Sequence, residues 1–198
     1  MRIIKLNEQS RANILADLLK RDPNNYSAYE DTVQAIVDDV RARGDEALFE
    51  YTKKFDGAEL SADNIRVTQA EIQEALSQVD PNLLAVMKKS MKNIREYHEK
   101  QKQYSWFDSK PNGTILGQKV TALSSVGVYV PGGKAAYPSS VLMNIIPAEV
   151  AGVEKIVMVT PPGKDGKVNP VTLIAAHLAG ATEVYKVGGA QAIAALAF

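Results

Sequence analysis

The chain has 198 residues, enough for one large domain or two small ones, and 45% of them are hydrophobic, so it can build a core and is not globally disordered. Lys plus Arg number 23 and Asp plus Glu number 23, which leaves no net charge and no electrostatic case for nucleic acid or an anionic membrane surface. There is no cysteine, which excludes a disulfide scaffold, a thiolate zinc site and a cysteine nucleophile within these residues.

The first residues carry no apolar signal core, and no run approaches the ~20 apolar residues that cross a bilayer. A reducing, cytoplasmic setting is expected. Residues 7–20 read as a short amphipathic helix with Ile14, Leu15, Leu18 and Leu19 on one side. Arg21-Asp22-Pro23-Asn24-Asn25 breaks it, so residues 1–25 form an arm or first helix.

Residues 26–119 read as mainly helical. Ser27 with Glu30 has the spacing of a capping box, in which each side chain satisfies a free helix amide. Val33, Ile36, Val37 and Val40 then follow at helical spacing, and Gly44 ends the run. Asp45 is expected to cap a helix that buries Leu48, Tyr51 and Phe55 and stops at Gly57. Thr68 with Glu71 is a second capping box, leading Ile72, Ala75, Leu76 and Val79. Asp80-Pro81 is an N-cap followed by proline at the first helical position, and a long helix runs to about Gln103 with Leu84, Met87, Met91, Ile94 and His98 on one stripe. The polar stretch from Ser105 to Lys119, with Pro111-Asn112-Gly113, is a turn or hairpin connection.

Residues 120–198 change pattern. Buried strands are expected at Val126–Val130 and Lys155–Thr160 and a third strand at Glu183–Val187, separated by helices from about Ser139 to Ala151 and from Pro170, capped by Asn169, to Gly180. A last helix follows Gly188-Gly189. Alternating strands and helices with apolar strands imply a parallel sheet covered on both faces. The fold class is therefore α/β, a helical N-terminal region followed by an incomplete Rossmann-like sheet. Ala192–Phe198 is apolar on every face and lacks a cap, so the natural protein is expected to continue past Phe198.

Ligands of open parallel sheets bind beyond the C-terminal ends of the strands. Two glycine-bearing turns lie there, Tyr129-Val130-Pro131-Gly132-Gly133-Lys134 and Val187-Gly188-Gly189-Ala190-Gln191. Neither is GxGxxG nor a phosphate-binding P-loop, and the plain reading is a pair of tight turns needing positive φ. Tyr129 could hold a nucleotide or simply pack. Gln191, a polar residue in an apolar helix, either binds a ligand or ties down a loop. His98 and His177 lie on separate helices and read as hydrogen-bonded core residues rather than bases or ligands.

The segments Arg43-Gly-Asp-Glu-Ala-Leu48, Tyr51-Thr-Lys-Lys-Phe-Asp56, Asn93-Ile94 with His98, Val126-Gly-Val-Tyr-Val-Pro-Gly-Gly133, Ser140-Val-Leu-Met143 and Val187-Gly-Gly-Ala-Gln-Ala-Ile-Ala-Ala-Leu-Ala-Phe198 resemble the histidinol dehydrogenase family over essentially the whole chain. The resemblance implies oxidation of L-histidinol to L-histidine through an aldehyde, with hydride passed to NAD, a zinc ion that holds the substrate, and a homodimer. It also implies that Tyr129 and Gln191 occupy NAD-binding positions and that Pro131 and Phe55 lie near the cofactor. No motif for zinc ligands or for an acid–base Glu-His pair is present, so catalytic and metal residues are expected beyond residue 198. An aldehyde dehydrogenase relative and a non-catalytic binding module are the competing readings. The VYVPGG and VGGAQAIAALAF segments weigh against the first, and the uncapped apolar end weighs against the second.

Overall fold

The computed structural model describes residues 7–11, 26–132 and 136–198. In the N-terminal segment, residues 8–11 are helical, and the Asn7 side chain accepts a hydrogen bond from the Ser10 amide at 2.7 Å. The apolar positions Ile14 to Leu19 and the Arg21–Asn25 break lie outside the described residues.

Four helices follow: α1 (Ser27–Arg43), α2 (Asp45–Asp56), α3 (Gln69–Gln78) and α4 (Pro81–Glu99). Two predicted caps fall elsewhere. Helix α1 has Tyr26 as its N-cap, so Ser27 is its first helical residue and makes no capping box. Gly44 both terminates α1 and caps α2, which leaves Asp45 as the first residue of α2. Its φ of 61° turns the chain sharply enough for one residue to serve both helices. The Thr68–Glu71 capping box and the Asp80 cap with Pro81 behind it form as read. Helix α4 ends at Glu99 rather than near Gln103, because the amides of Lys100 and Gln101 bond three residues back, to Tyr97 and His98, which tightens the last turn. On α1, Ile36 and Val40 are buried while Val33 is exposed.

The polar connection is an antiparallel hairpin of β1 (Trp106–Ser109) and β2 (Ile115–Gln118), with Trp106 opposite Gln118 and Ser109 opposite Ile115. The chain then forms β3 (Ser125–Tyr129), α5 (Pro138–Val150), β4 (Lys155–Thr160), α6 (Pro170–Ala179), β5 (Glu183–Lys186) and α7 (Gly189–Ala197). The three strands make a parallel sheet in the order β3-β4-β5, which bears out the α/β reading.

Successive strand residues face opposite sides of this sheet. Ile156, Met158 and Val184 point into a core shared with α3, α4, α5 and α6, including Ala75, Met87, Ile145 and Ile174. Val159 points the other way, toward Leu48 of α2 and Ala192 of α7. Helix α7 is held in turn by α1 and α2, where Ile36 and Val40 of the first and Ala47 of the second meet Ala194. The helical first half therefore covers both faces of the sheet. Strand β4 is buried from Ile156 to Thr160 apart from a half-buried Val157, whereas β3, expected to be buried, is half-exposed because it is an edge strand. The other edge is covered by backbone: Val67 donates to Val184, and Lys186 donates to Ile65.

Candidate functional site

The strands run in one direction, so Tyr129, Thr160 and Lys186 bring their following turns to the same edge of the sheet. The predicted residues Tyr129, Pro131 and Gln191 all lie on or beside these turns. Tyr129 ends β3, and it packs, partly buried, against the cluster that includes Val159, Val187 and Ala192. Its hydroxyl also accepts a hydrogen bond from the Gly189 amide at 3.4 Å, reaching across the end of the central strand. Packing and polar contact are thus both true of this side chain. Pro131 is exposed just beyond it, and residues 133–135 of the same turn lie outside the described residues.

Gln191 is 1% exposed, yet its Oε1 has no hydrogen-bond partner. A buried carboxamide oxygen left in this state costs about 1–3 kcal/mol, so a donor is expected to fill the position. The carboxamide folds back over Gly189, whose absent Cβ would lie 2.5 Å from Oε1. Gly189 also has φ +67°, so both backbone and space require glycine there. The other turn glycines correct the plain reading. Gly132 and Gly188 do not have positive φ; each instead lies against Pro161, which a Cβ at either position would meet at 2.6 Å.

A cleft of about 370 Å³ opens beside these turns, bounded by Gly132, Thr160, Pro161 and the α3 residues Glu71 and Glu74. The charges of Glu71, Glu74 and Lys167 on its wall are paired. Lys167 Nζ lies 2.6 and 2.9 Å from the two Glu74 carboxylate oxygens, which raises the lysine pKa. Lys186, 5% exposed, pairs with Glu71 at 2.7 Å. Burial pushes the Glu71 carboxyl up, but the Lys186 and Thr68 hydrogen bonds outweigh it and hold the carboxyl below its ordinary value. Such paired groups bind and orient; they do not supply a free acid or base.

Phe55 is not the last core residue of its helix. It is 51% exposed and stacks on Tyr51 at 5.7 Å, because Leu48, Thr52 and Ala58 take the inward positions. The two histidines also depart from the core reading. His98 is half-buried and pairs with Gln101 at 2.7 Å, and His177 is exposed in the last turn of α6, where a basic group suits the helix carbonyl end. The described residues contain no group of three or more His, Cys, Asp or Glu able to hold a metal, so they do not fit a zinc ion. Two features escaped sequence reading. Asp56 Oδ2 is buried without a partner, and burial holds its carboxyl above the usual range, although Asp-Gly reads as a plain helix stop. Pro161 looks like an ordinary loop residue until its neighbours are known.

The sequence pattern that defines the histidinol dehydrogenase family matches residues 19–198. Histidinol dehydrogenase of Bacillus subtilis (strain 168) is 60% identical over 167 residues, covering 84% of this chain and 39% of the relative. The enzyme of the same name from Heliobacterium mobile is 57% identical over 166 residues, with the same coverage. That of Clostridium acetobutylicum is 50% identical over 198 residues, covering all of this chain and 46% of the relative. The crystal structure of histidinol dehydrogenase from Elizabethkingia anophelis matches with a TM-score of 0.79 at 36% identity, over 84% of this chain and 38% of that one. The chain thus spans less than half the length of these relatives.

Proposed function

The chain belongs to the histidinol dehydrogenase family, and from that premise we propose that the intact protein oxidises L-histidinol to L-histidine through the aldehyde, with NAD as hydride acceptor. The strand-end turns form part of the NAD site, contributed by Tyr129, Pro131 and Gln191. The observation that carries the cofactor assignment is the buried, unpartnered Gln191 Oε1 beside the Tyr129–Gly189 contact. A buried acceptor of this kind suits an amide or hydroxyl donor of a dinucleotide, at the edge where open parallel sheets bind such ligands. NAD supplies the oxidising power by accepting hydride. The protein's own part here is to bind and orient: the Gly189 turn brings the start of α7 to the sheet edge, and the Gly189 amide with the apolar packing around Tyr129 fixes the tyrosine hydroxyl.

Zinc belongs to the family resemblance and finds no fitting ligands among the described residues, so no step is assigned to a metal. A homodimer in the cytoplasm completes the proposal on the same resemblance. The test is NADH formation by the intact protein with L-histidinol and identification of L-histidine as product. Absence of turnover at every zinc loading would overturn the reading. The 198-residue chain by itself is expected to retain no stoichiometric zinc after dialysis; one tightly bound equivalent would move the metal site into this chain.

A further inference from the structure

Pro161 follows β4, the central strand, and so stands between the turn after β3 and the turn after β5. The glycines flanking it have no conformational need to be glycine. Gly188 is extended, at φ −127°, and Gly132 is outside the left-handed region. What they share is the proline. A Cβ on Gly132 would lie 2.6 Å from Pro161 Cγ and 3.2 Å from Cδ, and one on Gly188 would lie 2.6 Å from Pro161 Cβ and 3.0 Å from Cγ and Cδ. Heavy atoms this close cannot coexist in a packed interior. The pyrrolidine ring therefore occupies the space that two side chains would fill, and the turns close upon it from both sides.

These turns carry the groups assigned to the cofactor. Pro131 precedes Gly132, Gln191 follows Gly188 by three residues, and Tyr129 is tied to the second turn through Gly189. We propose that Pro161 is a positioning residue: its ring, wedged between Gly132 and Gly188, sets the separation of the two cradle turns and hence the spacing of Pro131, Tyr129 and Gln191 for NAD. Proline suits the role because its ring is rigid and its φ is fixed, so the spacer has few alternative shapes. The proposal rests on the NAD reading above.

A double-mutant cycle in the intact protein tests it, with NAD affinity measured by titration and stability by thermal melting. Pro161→Ala removes Cγ and Cδ and should weaken NAD binding about three- to tenfold, the scale of coupling between residues in contact. Gly132→Ala should weaken it at least as much, since the new Cβ strikes the ring. Pro161→Ala with Gly132→Ala should bind NAD better than Gly132→Ala alone, because the ring atoms struck, Cγ at 2.6 Å and Cδ at 3.2 Å, are gone and only the Pro161 carbonyl oxygen at 3.2 Å remains close. This recovery is the signature of a spacer, and simple loss of a stabilising residue would not produce it. Additive losses, or an unchanged NAD affinity in Pro161→Ala, would overturn the proposal. A wild-type protein that binds no NAD would overturn the cofactor reading and this role with it. That failure is recognisable because the melting temperatures would still show the Pro161–Gly132 coupling.

Discussion

The parallel sheet and the β1–β2 hairpin are made of similar residues and reach opposite states. Strand β4, Lys-Ile-Val-Met-Val-Thr, is buried from Ile156 to Thr160 apart from a half-buried Val157. The hairpin strands, Trp-Phe-Asp-Ser and Ile-Leu-Gly-Gln, are exposed at every position, with Trp106 at 56% and Phe107 at 65%. Their cross-strand register puts Trp106 and Leu116 on one face and Phe107 and Ile115 on the other. An apolar strand is therefore no evidence of a core by itself. Burial comes from the helices that cover β4 on both faces, and a two-stranded ribbon without such cover is marginally stable alone.

The sharpest test of the contrast is truncation in the covered region. Ile174→Ala, at a site with 0% exposure on the buried face of α6, should cost about 4 kcal/mol in urea unfolding through lost burial and a residual cavity. A loss below about 1 kcal/mol would show that this core is loose.

Next in size is the pair that fastens α3 to β5. Lys186→Met leaves the Glu71 carboxylate half-enclosed without its cation and should cost about 2–3 kcal/mol near neutral pH. The pH dependence has a defined sign. The folded Glu71 pKa is lowered, so the pair's contribution is full above the unfolded value of about 4.3 and is lost as pH falls through the folded pKa. Stability of Lys186→Met should fall less steeply than wild type in that acid window. Parallel acid curves would remove Glu71 from the account.

A smaller effect is expected at the turn after β5. Gln191→Ala in the intact protein should raise the KM for NAD about two- to tenfold, the value of one hydrogen bond to a neutral partner, and raise that for L-histidinol less. An unchanged NAD KM would take Gln191 out of the site. The smallest effect belongs to the hairpin, where Trp106→Ala should change stability by no more than about 0.5 kcal/mol. A loss near that of Ile174→Ala would show that the hairpin is covered in the intact protein, and the contrast with β4 would disappear.

Local chemistry was readable wherever one residue's neighbours in sequence are also its neighbours in space. The Thr68–Glu71 box, the Asp80 and Asn169 caps, the stops at Gly44, Gly57 and Gly180, and the strand–helix alternation that gives the parallel sheet all belong to that class. So do Tyr129 and Gln191 as polar groups at strand ends, since the strand direction alone brings them to one edge. Tertiary structure decided what depends on partners distant in the chain. It made β3 an edge strand, turned Phe55 outward, and left Gln191 Oε1 buried without a donor. It also gave Gly132 and Gly188 their reason for being glycine, a proline 29 residues after one and 27 before the other in the numbering. Helix caps and periodicity are set by contacts within a turn or two, whereas steric exclusion and burial are set by whichever segments the whole fold brings together.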